Sequence, residues 1–459
     1  MSLYLLLPIL AVIVLFANLG RLKSLGFPLA VFGLIVAAVL AGFQIGLDHR
    51  LLRGMAEFDT FASAFSLLVI VLTILVVLLL GSPSGRTEVP RAEKAALVIF
   101  SLTGAVMLTS YTNLVMLFLG IEILSIPVYV LVGTRKSDVK GNEAALKYFL
   151  NGSFATGILL FGIGLIYAGT GQFSLGGILL WTQANSSGIH PLFHLGLLFI
   201  LFGLAFKVSA APFHFWTPDV YEGAPTAVTA YMSTVVKIAA FAAFFRLLYR
   251  AFPMAAESWL WIIGLLAVLT LLVGNLGALA QGGFKRLMAY SGISHAGYLL
   301  IALLATGSMA MGTLWLYTAA YAAATMIAFV AWARIEEGGE GDAIAAFAGL
   351  RSRSPFLAFG LALAMLSLVG VPPLGGFFGK LFVFANAVGQ GKIALVVFAV
   401  VMSAIGMVYY LRPLIQAWFN EPRVMAKLPL RAAELAVVGF CMLVLVGLAA
   451  APAWVLGAF

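Results

Sequence analysis

Apolar runs of about 20 residues, long enough to cross a hydrocarbon core of about 30 Å as helices, recur along the whole chain. Of its 459 residues, 63% are hydrophobic and 9% are charged, whereas roughly 25% are charged in an average soluble domain. The spacing of the runs predicts an all-α integral membrane protein with about fourteen transmembrane helices.

The chain shows no sign of a cofactor site of its own. Cys441 is its single cysteine, and one thiol can neither hold an iron–sulfur cluster nor form an internal disulfide. No glycine-rich phosphate loop, haem-attachment motif or nucleotide fingerprint is visible. The first apolar run, 3–19, lacks the flanks of a signal peptide, so we expect a retained helix. We therefore expect no cofactor and no metal on this chain, and any redox chemistry in partner subunits.

The basic residues set the topology. A net charge of +9 could suggest nucleic-acid binding, but most basic residues fall in loops on one side of the predicted membrane, among them Arg21, Lys23, Arg86 and Arg423. The opposite loops hold Arg50, Arg53, Arg246, Arg250 and Lys392. Because basic loops stay in the cytoplasm, the pattern places both termini outside the cytoplasm and argues against nucleic acid as a partner.

Two apolar runs are interrupted by proline close to a lysine. Residues 206–216 read FKVSAAPFHFW, with Pro212, and residues 368–380 read LVGVPPLGGFFGK, with Pro372 and Pro373. Proline removes a backbone donor and clashes with the preceding turn, so both runs should be broken helices, the seventh and the twelfth. Paired breaks five spans apart indicate an inverted internal repeat around an ion path.

Four charged residues lie deep inside apolar runs: Glu122, Lys207, Lys237 and Lys380. Each costs about 2.5 to 3.5 kcal/mol at the centre of a membrane helix, and such residues usually face a polar interior and mark a conduction path. Burial weakens the hold of an ammonium group on its proton, and a nearby carboxylate strengthens it. We therefore interpret the four residues as the catalytic groups of a proton path.

In this hypothesis Glu122 and Lys207 form a switchable pair. When they separate, Lys207 releases its proton towards Lys237, and Lys380 is the last titratable group before the outer face. His214 and His295 could relay protons, because a neutral imidazole donates at one nitrogen and accepts at the other.

Structural interpretations stay open for several of these residues. A buried Glu–Lys pair often only joins two helices, and His214 could satisfy carbonyl groups freed by the helix break. Lys147 could belong to a proton-uptake site, or it could form an ordinary surface pair with Glu143, four residues earlier. Aromatic residues at span ends are typical membrane-interface anchors; examples are Trp216, Tyr221, Trp259 and Trp418.

Three segments resemble the antiporter-like membrane subunits of respiratory complex I, the proton-translocating NADH:quinone oxidoreductase: 206–226 (FKVSAAPFHFWTPDVYEGAPT), 285–298 (KRLMAYSGISHAGY) and 370–380 (GVPPLGGFFGK). The resemblance covers essentially the whole chain. It implies fourteen helices, with inverted five-helix repeats formed by spans four to eight and nine to thirteen. It also places the family's functional residues of the fifth, seventh, eighth and twelfth helices on Glu122, Lys207, Lys237 and Lys380. A chain that stops at Phe459 and carries lysine at position 380 favours one of the three antiporter-like subunit types.

The resemblance also implies a domain organisation and a set of partners. We expect a single transmembrane domain, 1–459, made of three N-terminal helices (about 1–94), two repeats (95–250 and 258–420) and a C-terminal helix (431–459). Neighbouring antiporter-like subunits and other complex I membrane subunits would surround it in a bacterial inner membrane. NADH, FMN, iron–sulfur clusters and quinone are expected in partner subunits.

The sequence therefore predicts a subunit that translocates protons with energy from quinone reduction elsewhere in the complex. A subunit of a multi-protein cation/proton antiporter is the alternative, because it would share the deep lysines and broken helices. A third possibility is a passive scaffold whose charges only hold helices together.

Overall fold

The structure is a computed structural model that describes residues 3–18, 24–81, 89–185, 190–305, 309–339, 341–422 and 426–458. Arg21, Lys23, Arg86 and Arg423, which entered the topology prediction, lie outside the described residues. Ten of the described helices are long and apolar enough to cross a membrane, and four shorter apolar helices accompany them. The helical membrane fold is as predicted, whereas the count of fourteen spans stays a prediction.

Three helices and a small hairpin open the chain. The helices are α1 (Leu3–Ala17), α2 (Gly26–Phe43) and α3 (Thr60–Leu80). Between α2 and α3 lies an antiparallel hairpin of β1 (His49–Leu51) and β2 (Ala56–Phe58), in which Arg50 pairs with Glu57. The hairpin leaves the fold class all-α, as predicted; it was not itself predicted, because short strands in a loop have no apolar periodicity of their own.

The next group of helices contains the first break. Its members are α4 (Arg91–Ser110), α5 (Leu114–Val132), α6 (Val139–Thr170), α7 (Leu175–Ala184), α8 (Pro191–Lys207), α9 (Trp216–Gly223), α10 (Thr226–Tyr231) and α11 (Lys237–Arg250). Side chains of Asn113 and Asp138 cap the starts of α5 and α6, as expected for residues that accept from free amide groups there. A π-helical turn, Met232–Val236, joins α10 to α11.

The second break lies in the following group. Its helices are α12 (Ala256–Leu279), α13 (Phe284–Ala302), α14 (Ala310–Glu337), α15 (Leu350–Arg353), α16 (Pro355–Val369), α17 (Gly375–Gly389) and α18 (Ile393–Phe419), followed by α19 (Ala432–Ala450) and α20 (Pro452–Gly457). As predicted from the prolines, the two breaks fall between α8 and α9, around Pro212, and between α16 and α17, at Pro372 and Pro373.

The centre of the bundle is formed by two segments that other helices surround. The segment from α10 to α11 is buried from Thr226 to Leu248, and α14 is buried over nearly all of its length. In helices α2, α18 and α19, by contrast, most residues are not buried within the protein. This is expected of helices that contact lipid or partner subunits. Lys237 lies on the first of these segments, so its ammonium group is enclosed by the protein.

Candidate proton path

Lys207 is the last residue of α8 and is buried where the first broken helix ends. Its Nζ atom donates to Oγ of Ser125 on α5 at 2.5 Å and lies 5.8 Å from the centre of the Tyr148 ring. Tyr148 stacks on Trp216, the first residue of α9. The aromatic pair therefore closes the break around the lysine.

Glu122 lies one turn before Ser125 on α5, on a half-buried face of that helix. Within the described residues its carboxylate forms no ion pair with Lys207, whose ammonium group is held by the Ser125 hydroxyl instead. The structure therefore places Glu122 one turn along α5 from the serine that binds Lys207, without direct contact between Glu122 and Lys207. This arrangement fits the separated state of the hypothetical pair.

Lys237 is the first residue after the π-helical turn and is buried. Its Nζ atom donates to the carbonyl oxygen of Gly292 on α13 at 2.6 Å. A π-turn inserts one extra residue into a helix and is frequent at functional sites, because it re-aims the side chain that follows. Here that side chain is the lysine, which is directed at α13.

His295 lies on α13 one turn after Gly292 and is buried among aromatic residues. Both ring nitrogens have tyrosine partners: Nδ1 is 2.8 Å from the hydroxyl of Tyr317 on α14, and Nε2 is 3.0 Å from that of Tyr410 on α18. Ser291 Oγ lies 2.5 Å from the same Tyr410 hydroxyl. Among the predicted relay residues, His295 thus has a polar partner on each side.

Lys380 lies in α17, and its buried Nζ atom is directed back at the end of α16. It donates to the carbonyl oxygens of Leu368 at 3.0 Å and Val369 at 2.8 Å, and to Oγ of Ser403 on α18 at 2.8 Å. A helix C-terminus leaves carbonyl groups free and carries partial negative charge, so it suits a cation. The break therefore builds the binding site of the second buried lysine.

Helix α13 connects these groups. Gly292, His295 and Tyr298 follow one another at every third residue, so they lie along one side of the helix. Gly292 binds Lys237, and the Tyr298 ring lies 4.6 Å from Nζ of Lys380. A small cavity of about 10 Å³, lined partly by His295, Tyr317 and Leu368, lies between the histidine and the carbonyl group that Lys380 binds, and it has room for about one water molecule.

Lys147 lies at the surface in a charged cluster. Its Nζ atom forms the predicted pair with Glu143 at 2.7 Å and a second pair with Asp219 of α9 at 2.8 Å, and Asp219 also pairs with Arg286 at 2.9 Å. We call this side of the bundle the Lys147 face. A cleft of about 170 Å³ lies between the charges, so water reaches Lys147, but no described contact joins Lys147 to Lys207.

The Lys147 face continues to the loop after α14. Asp342 follows α14, and its backbone carbonyl accepts from the amide of Phe284, the first residue of α13. Burial raises the pKa of the Asp342 carboxyl, and the nearby Lys285 partly offsets that rise. Lys285 itself donates to the carbonyl oxygens of Glu222 and Ala224. The start of α13 is therefore fixed to α9 by the protein backbone.

His214 lies within the first break and is half-buried. Its Nδ1 atom is buried without a hydrogen-bond partner among the described residues. No described contact joins it to His295 or to a buried lysine, and Pro212 beside it is exposed. The structure therefore separates His214 from the groups that α13 brings together.

The residues that contact the lysines and His295 were not predicted from the sequence. They are Ser125, Gly292, Tyr298, Tyr317, Ser403 and Tyr410. A serine or tyrosine within an apolar run is a weak signal, because it can satisfy itself within its own helix. Within the described residues, no group of three or more His, Cys, Asp or Glu side chains could hold a metal ion.

Comparison with known proteins places this arrangement in a family. Residues 112–406 match the family described as NADH:quinone oxidoreductase/Mrp antiporter, TM. The chain belongs to this family of antiporter-like membrane subunits. It is 40% identical over 424 residues to NADH-quinone oxidoreductase subunit N of Cytophaga hutchinsonii, covering 92% of this chain and 91% of that protein.

Solved structures show the same fold. A chain of respiratory complex I from Thermus thermophilus with bound aureothin superposes with a TM-score of 0.85 at 34% identity, covering 99% of each chain. A chain of the Mrp complex from Dietzia sp. superposes with a TM-score of 0.87 at 20% identity, covering 100% of this chain and 96% of that one. The second likeness is one of fold alone.

Proposed function

We propose that this chain is a proton-translocating membrane subunit of an NADH:quinone oxidoreductase, of the type that its relatives name subunit N. Protons pass along Lys207, Lys237 and Lys380, while electrons pass through other subunits. Two relatives that match 92% and 81% of this chain carry that name, at 40% and 44% identity respectively. FMN, iron–sulfur clusters and quinone belong to those other subunits.

One observation carries the proton path. Each of the three deep lysines is held by uncharged oxygen atoms: Ser125 for Lys207, Gly292 for Lys237, and two carbonyls and Ser403 for Lys380. Within the described residues none of them forms an ion pair. A structural lysine in a membrane is normally matched by a carboxylate, because an unmatched buried charge is costly. Lysines held by neutral groups can give up their protons and leave no unpaired anion behind.

The trigger is electrostatic. A change at the quinone site in a neighbouring subunit alters the distance between Glu122 and Lys207, and the released proton moves towards Lys237. Glu122 is suited to this role because its half-buried face of α5 lies open to a neighbouring subunit, with Ile126 and Val130 exposed beside it. We expect an adjacent antiporter-like subunit to cover that face.

The membrane placement follows from the same assignment. The chain is a multi-pass protein of the bacterial inner membrane, with the Lys147 face in the cytoplasm and both termini on the other side. On that orientation Lys147, Asp219 and Arg286 lie where protons are taken up. The domain limits proposed from the sequence, with repeats at 95–250 and 258–420, fit the positions of the two breaks.

Replacing Lys237 tests the function. In the assembled complex, reconstituted in vesicles, Lys237→Met should sharply lower the number of protons pumped per NADH or stop turnover altogether. Lys392→Met is the matched control, because Lys392 is exposed at the start of α18. An unchanged proton-to-electron ratio and an unchanged turnover in Lys237→Met would refute the path.

A second experiment separates pumping from the two other candidates. Replacing Glu122 and Lys207 together by leucine and methionine should abolish coupling, whereas a passive scaffold would keep full activity. The Mrp-type antiporter is a candidate because the fold is shared. Such an antiporter would exchange cations for protons in vesicles under an imposed ion gradient, without any NADH. Exchange of that kind by this chain would favour the antiporter.

A further inference from the structure

The hydrogen bonds around His295 form a continuous chain of four side chains on three helices. Ser291 contacts Tyr410 at 2.5 Å, Tyr410 contacts His295 Nε2 at 3.0 Å, and His295 Nδ1 contacts Tyr317 at 2.8 Å. Every junction joins groups that can either donate or accept, because hydroxyl hydrogens rotate and imidazole has two tautomers. The donors and acceptors along this hydrogen-bonded chain can therefore all reverse their roles while every hydrogen bond is kept.

The two ends of this chain lie near the two lysines of the path. Ser291 is next in sequence to Gly292, whose carbonyl group binds Lys237. At the other end, Tyr317 lines the cavity of about 10 Å³ together with Leu368, whose carbonyl group binds Lys380. Tyr317 also touches α17 directly, because a Cβ atom at Gly379 would lie 2.7 Å from its ring.

We propose that Tyr317 and Tyr410 are proton-transfer residues that work with His295 as one reversible hydrogen-bonded chain between Lys237 and Lys380. This inference rests on the proposed proton path and adds to it two residues and a mechanism. No described hydrogen bond joins the histidine directly to either lysine. The hydroxyl groups of the two tyrosines extend it on both sides.

One passage conserves protons and charge. A proton arriving on the Tyr410 oxygen lets that hydroxyl give its own proton to Nε2 of His295. The bond between Nδ1 and its hydrogen then breaks as that proton passes to the Tyr317 oxygen, and the original Tyr317 proton leaves into the cavity towards Lys380. One proton enters, one leaves, and all four side chains end neutral with His295 in its other tautomer.

The chain must then reset before the next proton. The reset is a proton exchange with water: Nδ1 gains one hydrogen and Nε2 loses one, so the first tautomer returns with no net proton moved. Because a tyrosine hydroxyl, which can donate or accept, faces each nitrogen, both tautomers have partners. Two unlike partners, such as a carbonyl group and an amide, would hold a single tautomer and block the reset.

Burial of the chain keeps competing protons away. His295 is 3% exposed and Tyr317 is 2% exposed, and Tyr410 and Ser291 are equally enclosed. In so dry a setting an unmatched hydroxyl would be costly, so the hydrogen bonds among these groups hold them in position. A buried chain also prevents leakage from the surface, which a pump requires.

Removal of single hydroxyl groups tests the proposal in the assembled complex. Tyr317→Phe and Tyr410→Phe keep the rings and should each slow the initial rate of NADH-driven proton pumping by about tenfold or more, in the range of a lost proton-transfer group. The matched control is Tyr231→Phe: Tyr231 is equally buried, and its hydroxyl contacts Ser101 at 3.0 Å, outside the chain. That variant should pump near the wild-type rate.

A second measurement separates proton transfer from mere support. Fluorotyrosine at position 317 or 410 keeps the hydroxyl and its hydrogen bond but makes the phenol more acidic. If the hydroxyl carries the proton, both the pumping rate and its solvent deuterium isotope effect should change. A fluorotyrosine protein with the wild-type rate and isotope effect would overturn the proposal.

The Lys237→Met complex, assayed in parallel, shows which idea fails. If Lys237→Met stops pumping while both phenylalanine variants pump normally, the tyrosine chain is wrong and the proposed function stands. If Lys237→Met itself pumps normally, the proposed path fails and the tyrosine chain with it. Native gels of each complex verify that the variants assemble.

Discussion

The Nζ atom of Lys237 lies 2.6 Å from the carbonyl oxygen of Gly292, and a methyl group at Gly292 would lie 3.1 Å from that same Nζ atom. The glycine thus provides both the acceptor for the lysine and the space for it. At position 292 the backbone of α13 therefore accepts a hydrogen bond from the lysine of α11.

Gly292→Ala should therefore disturb the lysine without removing it. The added methyl group forces the end of the lysine side chain to move by a few tenths of an ångström, which lengthens its only hydrogen bond among the described residues. We expect slower proton pumping with normal assembly. Gly264→Ala on α12, where a methyl group meets no atom within 4 Å, is the control. Equal pumping by the two variants would contradict the prediction.

Ser125→Ala should uncouple Lys207. The hydroxyl of Ser125 is the acceptor that holds the lysine at the end of α8, at 2.5 Å, and an unsatisfied buried charged donor costs about 1–3 kcal/mol or more. We expect a loss of pumping that Ser125→Thr, which keeps a hydroxyl group, partly restores. Vesicle pumping assays of the two variants are the measurement, and a normal rate for Ser125→Ala would count against a role for this contact.

Gly370→Ala should destabilise the second break. Gly370 ends α16 with φ of +92°, and a Cβ atom there would lie 3.1 Å from Cδ of Lys380. A side chain in that backbone conformation costs about 1–3 kcal/mol. Gly391→Ala, with φ of +73° and no atom within 4 Å, carries the backbone strain alone. Thermal unfolding of the purified complex should rank Gly370→Ala below Gly391→Ala, and the reverse order would show that Lys380 does not crowd the site.

Arg246→Gln should release the hairpin before α3. Arg246 is 2% exposed, donates to the carbonyl oxygen of Tyr111 at 2.7 Å and pairs with Asp59 at 3.0 Å. Breaking a buried pair from one side typically costs about 3–5 kcal/mol. Arg50→Gln removes a pair whose arginine is 75% exposed and should cost less than about 1 kcal/mol. Protease cleavage near the hairpin and the melting temperature report both effects, and similar values for the two variants would refute the difference.

The sequence was informative wherever a residue conflicts with its surroundings. A lysine or proline in an apolar run has few tolerable explanations, so Lys207, Lys380, Pro212 and Pro372 led directly to the broken helices that the structure contains. The charge pair of Glu143 and Lys147 was equally visible, because helical spacing alone brings the two residues together.

The partners of the lysines were not predictable, because they depend on how helices pack. Gly292 binds Lys237 through its backbone, which every residue possesses. Tyr317 and Tyr410 lie on separate helices and meet only at His295. The interpretation of Trp216, Tyr221 and Trp259 as membrane-interface anchors was wrong, because all three are buried within the protein. A position near a helix end fixes depth in the membrane, but it does not fix which way a side chain points.

Lys380 differs from the other two lysines in how it is held, and the difference bears on timing. An ammonium group has three protons, and all three are engaged, with Leu368, Val369 and Ser403. The proton that leaves must first detach from one of these oxygens, whereas Lys237 has a single such bond among the described residues. A proton should therefore stay bound longer at Lys380 than at Lys237. Release from Lys380 would then be the slow step, and it would delay the exit of the proton until the earlier transfers are complete.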